Sequence, residues 1–204
     1  MINKRSIIIG ITGGSGVGKS TLCNALKQKY PDKIQLIQLD DYFKPAEDKS
    51  KIGELVNSDH PDALYIYKFY NDLKTLAQGN SITIETKNPF LNPNYKITKQ
   101  KIPVLLESKP IILAEGFLLL YDNKIRNLLD YSFYLDANHD IRWERRENYS
   151  NKNSEYESNV IIPMHKEYTE PTKKYAHKII NADLLDTEKV FREVEKIILK
   201  NDFK

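Results

Sequence analysis

Residues 13–20 read GGSGVGKS, lying between an apolar run and a helical pattern. The stretch matches G-x-x-x-x-G-K-[ST]. Glycines let the backbone curl so that several N–H groups converge on phosphate oxygens, and a following helix adds its positive end. Lys19 can reach the β- and γ-phosphates and Ser20 can ligate Mg²⁺. Gly13, Gly14, Ser15, Gly16, Val17, Gly18, Lys19, Ser20 and Thr21 are thus candidates for holding a nucleoside triphosphate. A GTPase should add D-x-x-G and N-K-x-D. No glycine here has Asp three residues before it, and NKNS (Asn151–Ser154) lacks the final acid. A transporter-type ATPase should show L-S-G-G-Q, which is missing. The motif set leaves a small phosphotransferase.

Two further groups of carboxylates could share that chemistry. QLDDYFKP (Gln38–Pro45) puts Asp40 and Asp41 where an apolar run stops, and IILAEGFLLL (Ile111–Leu120) puts Glu115 at the end of another. An acid near a γ-phosphate can accept the proton of an attacking hydroxyl, or hold Mg²⁺ through water. A turn cap needs only one Asp, and no glutamate beside it. Position favours Asp40 over Asp41 as the functional member of the pair.

The elements that must position these groups alternate. Ser6–Thr12, Ile34–Leu39, Ile111–Ala114, Tyr131–Leu135 and Lys178–Ile180 read as strands. Ser20–Tyr30, Asp62–Gln78 and Thr187–Lys200 read as helices, the first stopped by Pro31 and the second ending near Gly79. Ile82–Thr86 and Tyr95–Val104 alternate with a period of two and predict a small β-excursion broken by prolines. The polar stretch Glu147–Asn159 predicts a mobile loop or short lid. Strands alternating with helices predict an α/β fold with a mostly parallel sheet covered on both faces. In such sheets ligands bind beyond the carboxyl ends of the strands, where the glycine loop, Asp40 and Glu115 would meet.

Composition sets outer limits. The chain has 204 residues, enough for one domain with a full core. Its net charge of +3 is too small an excess to argue for nucleic acid, and no nucleic-acid partner is expected. No run approaches the ~20 apolar residues of a membrane span, so a cytoplasmic protein with no membrane partner is expected. The basic-then-apolar start MINKRSIIIG reads as a first strand, because Gly10 interrupts it. Cys23 has no cysteine to pair with and no metal-ligand spacing, and reads as a buried side chain. Nothing in the pattern sets an oligomeric state, a homo-oligomer included.

GITGGSGVGKST, LDDYFKP, DHPDAL, IILAEGFLLLYD and PMHKEYTEPTKKYAHKII occur here in one order, from about Ile7 to Ile180. In that order the chain resembles uridine–cytidine kinases of the phosphoribulokinase/uridine kinase family. QLDDYFKP and EGFLLLY also resemble nicotinamide riboside kinases. The resemblance implies a P-loop NTPase fold with a five-stranded parallel sheet, in one domain over residues 1–204. Residues 81–104 would form the acceptor-binding excursion and 140–160 the lid. It implies ATP with Mg²⁺ and transfer of the γ-phosphoryl to the 5′-hydroxyl of a nucleoside. Carried over by position, Asp40 is the proton acceptor and Asp59 grips ribose hydroxyls. Phe43, His60 and Arg142 join Asp40 and Asp59 on the substrate. Lys19, Arg145 and Arg146 act on the transferring phosphoryl, and Ser20 with Glu115 on the metal side, the latter through water. Three departures stand out, one being Ser58 where the family has an aromatic residue just before the ribose acid. Asn88–Lys96 reads NPFLNPNYK, without the Tyr-Asp-Phe and His that read a pyrimidine. The lid's Arg-Gly-Arg is replaced by YSNKNS, with only Lys152. The alternatives are a kinase of nicotinamide riboside or another small alcohol, and, from a different class, a nucleotide sensor without turnover.

Overall fold

Consecutive isoleucines need burial on both faces, and β1 (Ile7–Gly13) finds it at the centre of the sheet. The computed structural model describes residues 5–147, 154–183 and 186–200. β1 lies between β7 (Ile111–Glu115) and β8 (Tyr131–Asp136), while β2 (Ile34–Gln38) and β9 (Lys178–Asn181) form the edges. The order is β2-β7-β1-β8-β9 and every pair is parallel. All five expected strands are therefore present, each within about a residue or two of its expected ends. Two antiparallel ribbons stand off the sheet: β3 (Lys51–Ile52) with β4 (Leu55–Val56), and β5 (Ile82–Thr86) with β6 (Ile102–Leu106).

Each face of the sheet carries its own core. Ile8, Ile37, Ile112 and Tyr134 pack against Phe69, Leu73 and Leu76 of α2 (Ile66–Ala77). On the other face Ile9, Ile11, Leu113 and Phe133 meet Leu22, Cys23 and Leu26 of α1 (Lys19–Lys29). Val190, Val194 and Ile198 of the helix Thr187–Lys200 complete that layer. Cys23 is fully buried, as its sequence context implied.

Three expectations are corrected. Tyr95–Val104 does not form one strand. Tyr95–Thr98 is a helical turn (α3), closed by Lys99 at φ +56°, and pairing with β5 begins only at Ile102. The Asn92 side chain holds that turn by donating to the carbonyl oxygens of Thr86 and Gln100 at 3.1 and 2.9 Å. The helix expected from Asp62 starts at Ile66, because Pro61–Ala63 makes a separate 3₁₀ turn capped by the His60 ring. Of the expected lid, residues 148–153, with Lys152, lie outside the described residues. Residues 154–159 are not a loop: they open a helical stretch that runs on to Tyr175, widened twice into π-type turns. No helix of the described residues is long and apolar enough to cross a membrane.

Candidate active site

The register of the sheet builds the site. Glu115 on β7 lies level with Ile11 on β1 and Gln38 on β2, so the three strands end together. Two residues past Ile11 the chain turns into the glycine loop. Gly16 has φ +85°, and a Cβ there would sit 2.2 Å from the Arg142 carbonyl oxygen, so no other residue fits. Lys19, the first residue of α1, is buried and donates to the Gly14 carbonyl at 3.1 Å. Burial pushes its ammonium pKa down, opposed by the nearby carboxylates of Glu115 and Asp40. Glu115 is buried too, and burial raises its pKa against the pull of Lys19. Its Oε2 accepts from Gln38 Nε2 at 2.7 Å and from Ser20 Oγ at 3.2 Å.

The two adjacent aspartates separate by role. They sit in the 3₁₀ turn Leu39–Tyr42 that follows β2. The Asp41 carboxylate accepts from Thr86 Oγ1 at 2.8 Å and from the Lys87 amide at 3.0 Å, tying the turn to the end of β5. Burial raises its pKa, and these two bonds oppose the rise. The Asp40 side chain has no hydrogen bond or ion pair among the described residues. It faces a cavity of about 950 Å³ that the glycine loop, Glu115, Phe43 and Asp59 also line. Asp59 accepts from the Tyr156 hydroxyl at 2.9 Å, and burial raises its pKa.

Of the remaining expected residues, Arg145 and Arg146 line this cavity, and Arg146 donates to the Ser15 hydroxyl. Two do not. Arg142 is buried behind the loop, donating to the carbonyl oxygens of Ala137 at 3.0 Å and Ser15 at 3.3 Å. It braces the loop from behind and is not among the residues that line the cavity. His60 is spent on structure. Its Nδ1 accepts the Asp62 amide at 3.1 Å, and its Nε2 lies 3.0 Å from the Tyr168 hydroxyl. Beneath Gly14 the His165 ring is pushed down to about pKa 4 by burial and by Arg142, so it is neutral there.

The model of the family described as "Phosphoribulokinase / Uridine kinase family" matches residues 8–188. The chain belongs to that family. It is 37% identical over 190 residues to a uridine kinase of Clostridium novyi, covering 86% of this chain and 87% of the relative. It is 34% identical over 181 residues to a uridine kinase of Borreliella burgdorferi, covering 85% of both. Among solved structures, one titled a possible uridine kinase from Bacillus stearothermophilus superposes with a TM-score of 0.63 at 17% identity. That superposition covers 89% of this chain and 91% of the other. Phosphoribulokinase from Rhodobacter spheroides gives 0.62 at 10% identity, over 88% and 73%. These two distant matches carry the fold: a P-loop kinase sheet flanked by helices.

Within this family fold, several polar residues that motif reading passed over belong to the site. Asn88 Nδ2 donates to Gln38 Oε1, so the chain Asn88–Gln38–Glu115–Ser20 links the excursion to the glycine loop. Asn24 donates to the Ser20 carbonyl at 2.7 Å. Gln38 had one available signal, an amide at the end of an otherwise apolar strand. Tyr156 had none, standing in a polar segment remote from Asp59. Ser20 and Glu115 offer hard oxygen donors suited to Mg²⁺. Among the described residues no cluster of three or more His, Cys, Asp or Glu could hold a metal alone. Ser20 and Glu115 would hold such an ion together with phosphate oxygens of a nucleotide.

Proposed function

We propose that the chain is an ATP-dependent kinase that moves the γ-phosphoryl of ATP to the 5′-hydroxyl of a nucleoside or a similar small alcohol, acting in the cytoplasm. The observation that carries this reading is Asp40. Among the described residues it is a carboxylate without a hydrogen bond or ion pair, in a large cavity that the glycine loop and the Asp59–Tyr156 pair also line, with Lys19 nearby. A nucleotide sensor has no need of such an acid.

The chain's own groups account for the steps. Loop amides and Lys19 hold the β- and γ-phosphates, and Arg145 and Arg146 neutralise charge on the transferring group. Asp59, held by Tyr156, takes the acceptor's diol and so aims its primary hydroxyl. Asp40 removes that hydroxyl's proton as the oxygen attacks in line. Ser20, and Glu115 through water, would hold Mg²⁺ with the nucleotide, and the ion would there neutralise phosphate charge.

The test is a competition assay. The protein is given ATP and Mg²⁺ with equimolar uridine, cytidine, adenosine, nicotinamide riboside and pantothenate, and products are read by mass spectrometry. A nucleoside 5′-monophosphate is expected. Asp40→Asn should cut kcat by about 10²–10⁴-fold with a much smaller change in KM. Absence of any phosphorylated acceptor, or an undiminished kcat in the variant, would sink the reading.

A further inference from the structure

Beside the cleft, on the other side of Asp40 and Phe43 in the lining they share, lies a second pocket of about 530 Å³. Asp40, Asp41, Phe43 and Lys87 line both, so the two pockets adjoin along these residues. The far pocket is basic. Lys44, Lys49, Lys68, Lys87 and Lys101 line it, against the acids Asp40, Asp41 and Glu85.

Its ammoniums are not spent on carboxylates. Among the described residues none of the five lysines forms an ion pair. Lys49 and Lys87 set their Nζ atoms 4.5 and 4.9 Å from the centroid of one ring, that of Phe43. Lys49 also donates to Ser58 Oγ at 3.0 Å, next to Asp59. Lys101 donates to the backbone carbonyl of Asp41 at 2.9 Å, while the Asp41 carboxylate is taken by Thr86 and Lys87's amide. A solvated basic face would spread its charges apart. Here Lys49, Lys87 and Lys101 converge, and they are half-buried. Burial lowers the ammonium pKa values of Lys49 and Lys101; neighbouring lysines add to this, while Asp41 opposes it at Lys101 and Asp59 and Asp40 oppose it at Lys49. Clustered, half-buried and without ion pairs among the described residues, these cations would be favoured by an added anion.

We infer that this pocket receives an oxyanion, a carboxylate or phosphate, carried by the acceptor at the end away from its reacting hydroxyl. The inference rests on the kinase reading above and narrows its substrate class: a nucleoside or similar small alcohol that carries an acidic group at its far end. Phe43, stacked on Phe117 at 6.3 Å between centroids, supplies an aromatic floor for the middle of such a molecule. Lysine, a compact and mobile point charge, accepts either oxyanion without demanding a fixed fork geometry.

Acceptor pairs that differ chiefly by one acidic group test it. Uridine is compared with orotidine and with uridine 3′-monophosphate, nicotinamide riboside with nicotinic acid riboside, and panthenol with pantothenate. Each is turned over with ATP and Mg²⁺ at low and at high KCl. In at least one pair the acidic member should show a kcat/KM about tenfold or more above its neutral partner, falling as salt rises. That ratio should shrink toward unity in Lys49→Gln/Lys87→Gln and in Lys101→Gln. A ratio cancels any general loss of activity in the variants. A neutral preference in every pair, or an acidic preference that survives these substitutions, overturns the inference and leaves the kinase reading standing. Phosphorylation of no member of any pair overturns both.

Discussion

At the scale of single residues, burial without full pairing marks the site. Glu115 and Asp59 are both held above the usual carboxylate range chiefly by burial, and Lys19 below the usual ammonium range for the same reason. Each is a charge the fold tolerates at a cost, as expected where function opposes stability. Asp59 allows a clean test. Asp59→Asn keeps the shape and the Tyr156 bond but removes the charge. Because the folded carboxyl has a raised pKa, the native protein bears its penalty above that pKa and is relieved of it as the group takes up a proton. The variant should therefore be more stable at pH 7.5 by about 1 kcal/mol, roughly 2–4 °C in Tm. The advantage should shrink toward pH 4.5, and KM for the acceptor should rise. Urea titrations at the two pH values read the difference. Lower stability of the variant at pH 7.5 would mean that Tyr156 and Arg146 more than offset the burial. The sequence pointed to Asp59 only through its neighbours in HPDA. Its hydroxyl partner lies 97 positions away, a distance no local pattern reports.

At the scale of elements, legibility follows burial. The five sheet strands are apolar runs covered on two faces, so their sequence admits little else, and all five are found where expected. The excursion is covered on one face and carries Pro89, Pro93 and Pro103, so side-chain amides decide its path instead. Asn92 turns the chain at α3, and Asn88 ties it to β2. Asp41 belongs to this scale. Next to the candidate proton acceptor in sequence, it acts as a clamp between the turn after β2 and the β5–β6 ribbon. Asp41→Ala should leave the buried Thr86 hydroxyl without its acceptor and the Lys87 amide unpaired, costing about 1–3 kcal/mol locally. Hydrogen exchange should show faster exchange in residues 82–106 while β1, β7 and β8 stay protected. Acceptor KM should rise more than kcat falls. Uniform loss of protection across the sheet would mean that the clamp supports the whole fold rather than the ribbon.

At the scale of the molecule, strand order turns separate motifs into one site. The glycine loop, Asp40 and Glu115 are separated by up to about a hundred residues, yet they arrive on three adjacent strands, β1, β2 and β7. Chain direction reverses its drift across the sheet at β1, with β8 and β9 added on the other side, and such a switch point opens a crevice at the carboxyl ends. Most of this could be read beforehand from the alternation of strands and helices. The arginines could not be ranked that way: on one helix, His139–Glu147, Arg142 turns beneath the loop while Arg145 and Arg146 reach the cavity. A fold that gathers uncompensated charge around an open crevice should gain stability when ligand fills it. With ATP and Mg²⁺ at about a hundred times Kd, linkage adds about 2.7 kcal/mol, or roughly 5–10 °C in Tm. Lys19→Met keeps the aliphatic stem and removes the ammonium. It should melt within a few degrees of the parent when unliganded, lose most of the nucleotide-dependent rise, and turn over poorly. A full rise in Tm with Lys19→Met would place the triphosphate somewhere other than the glycine loop.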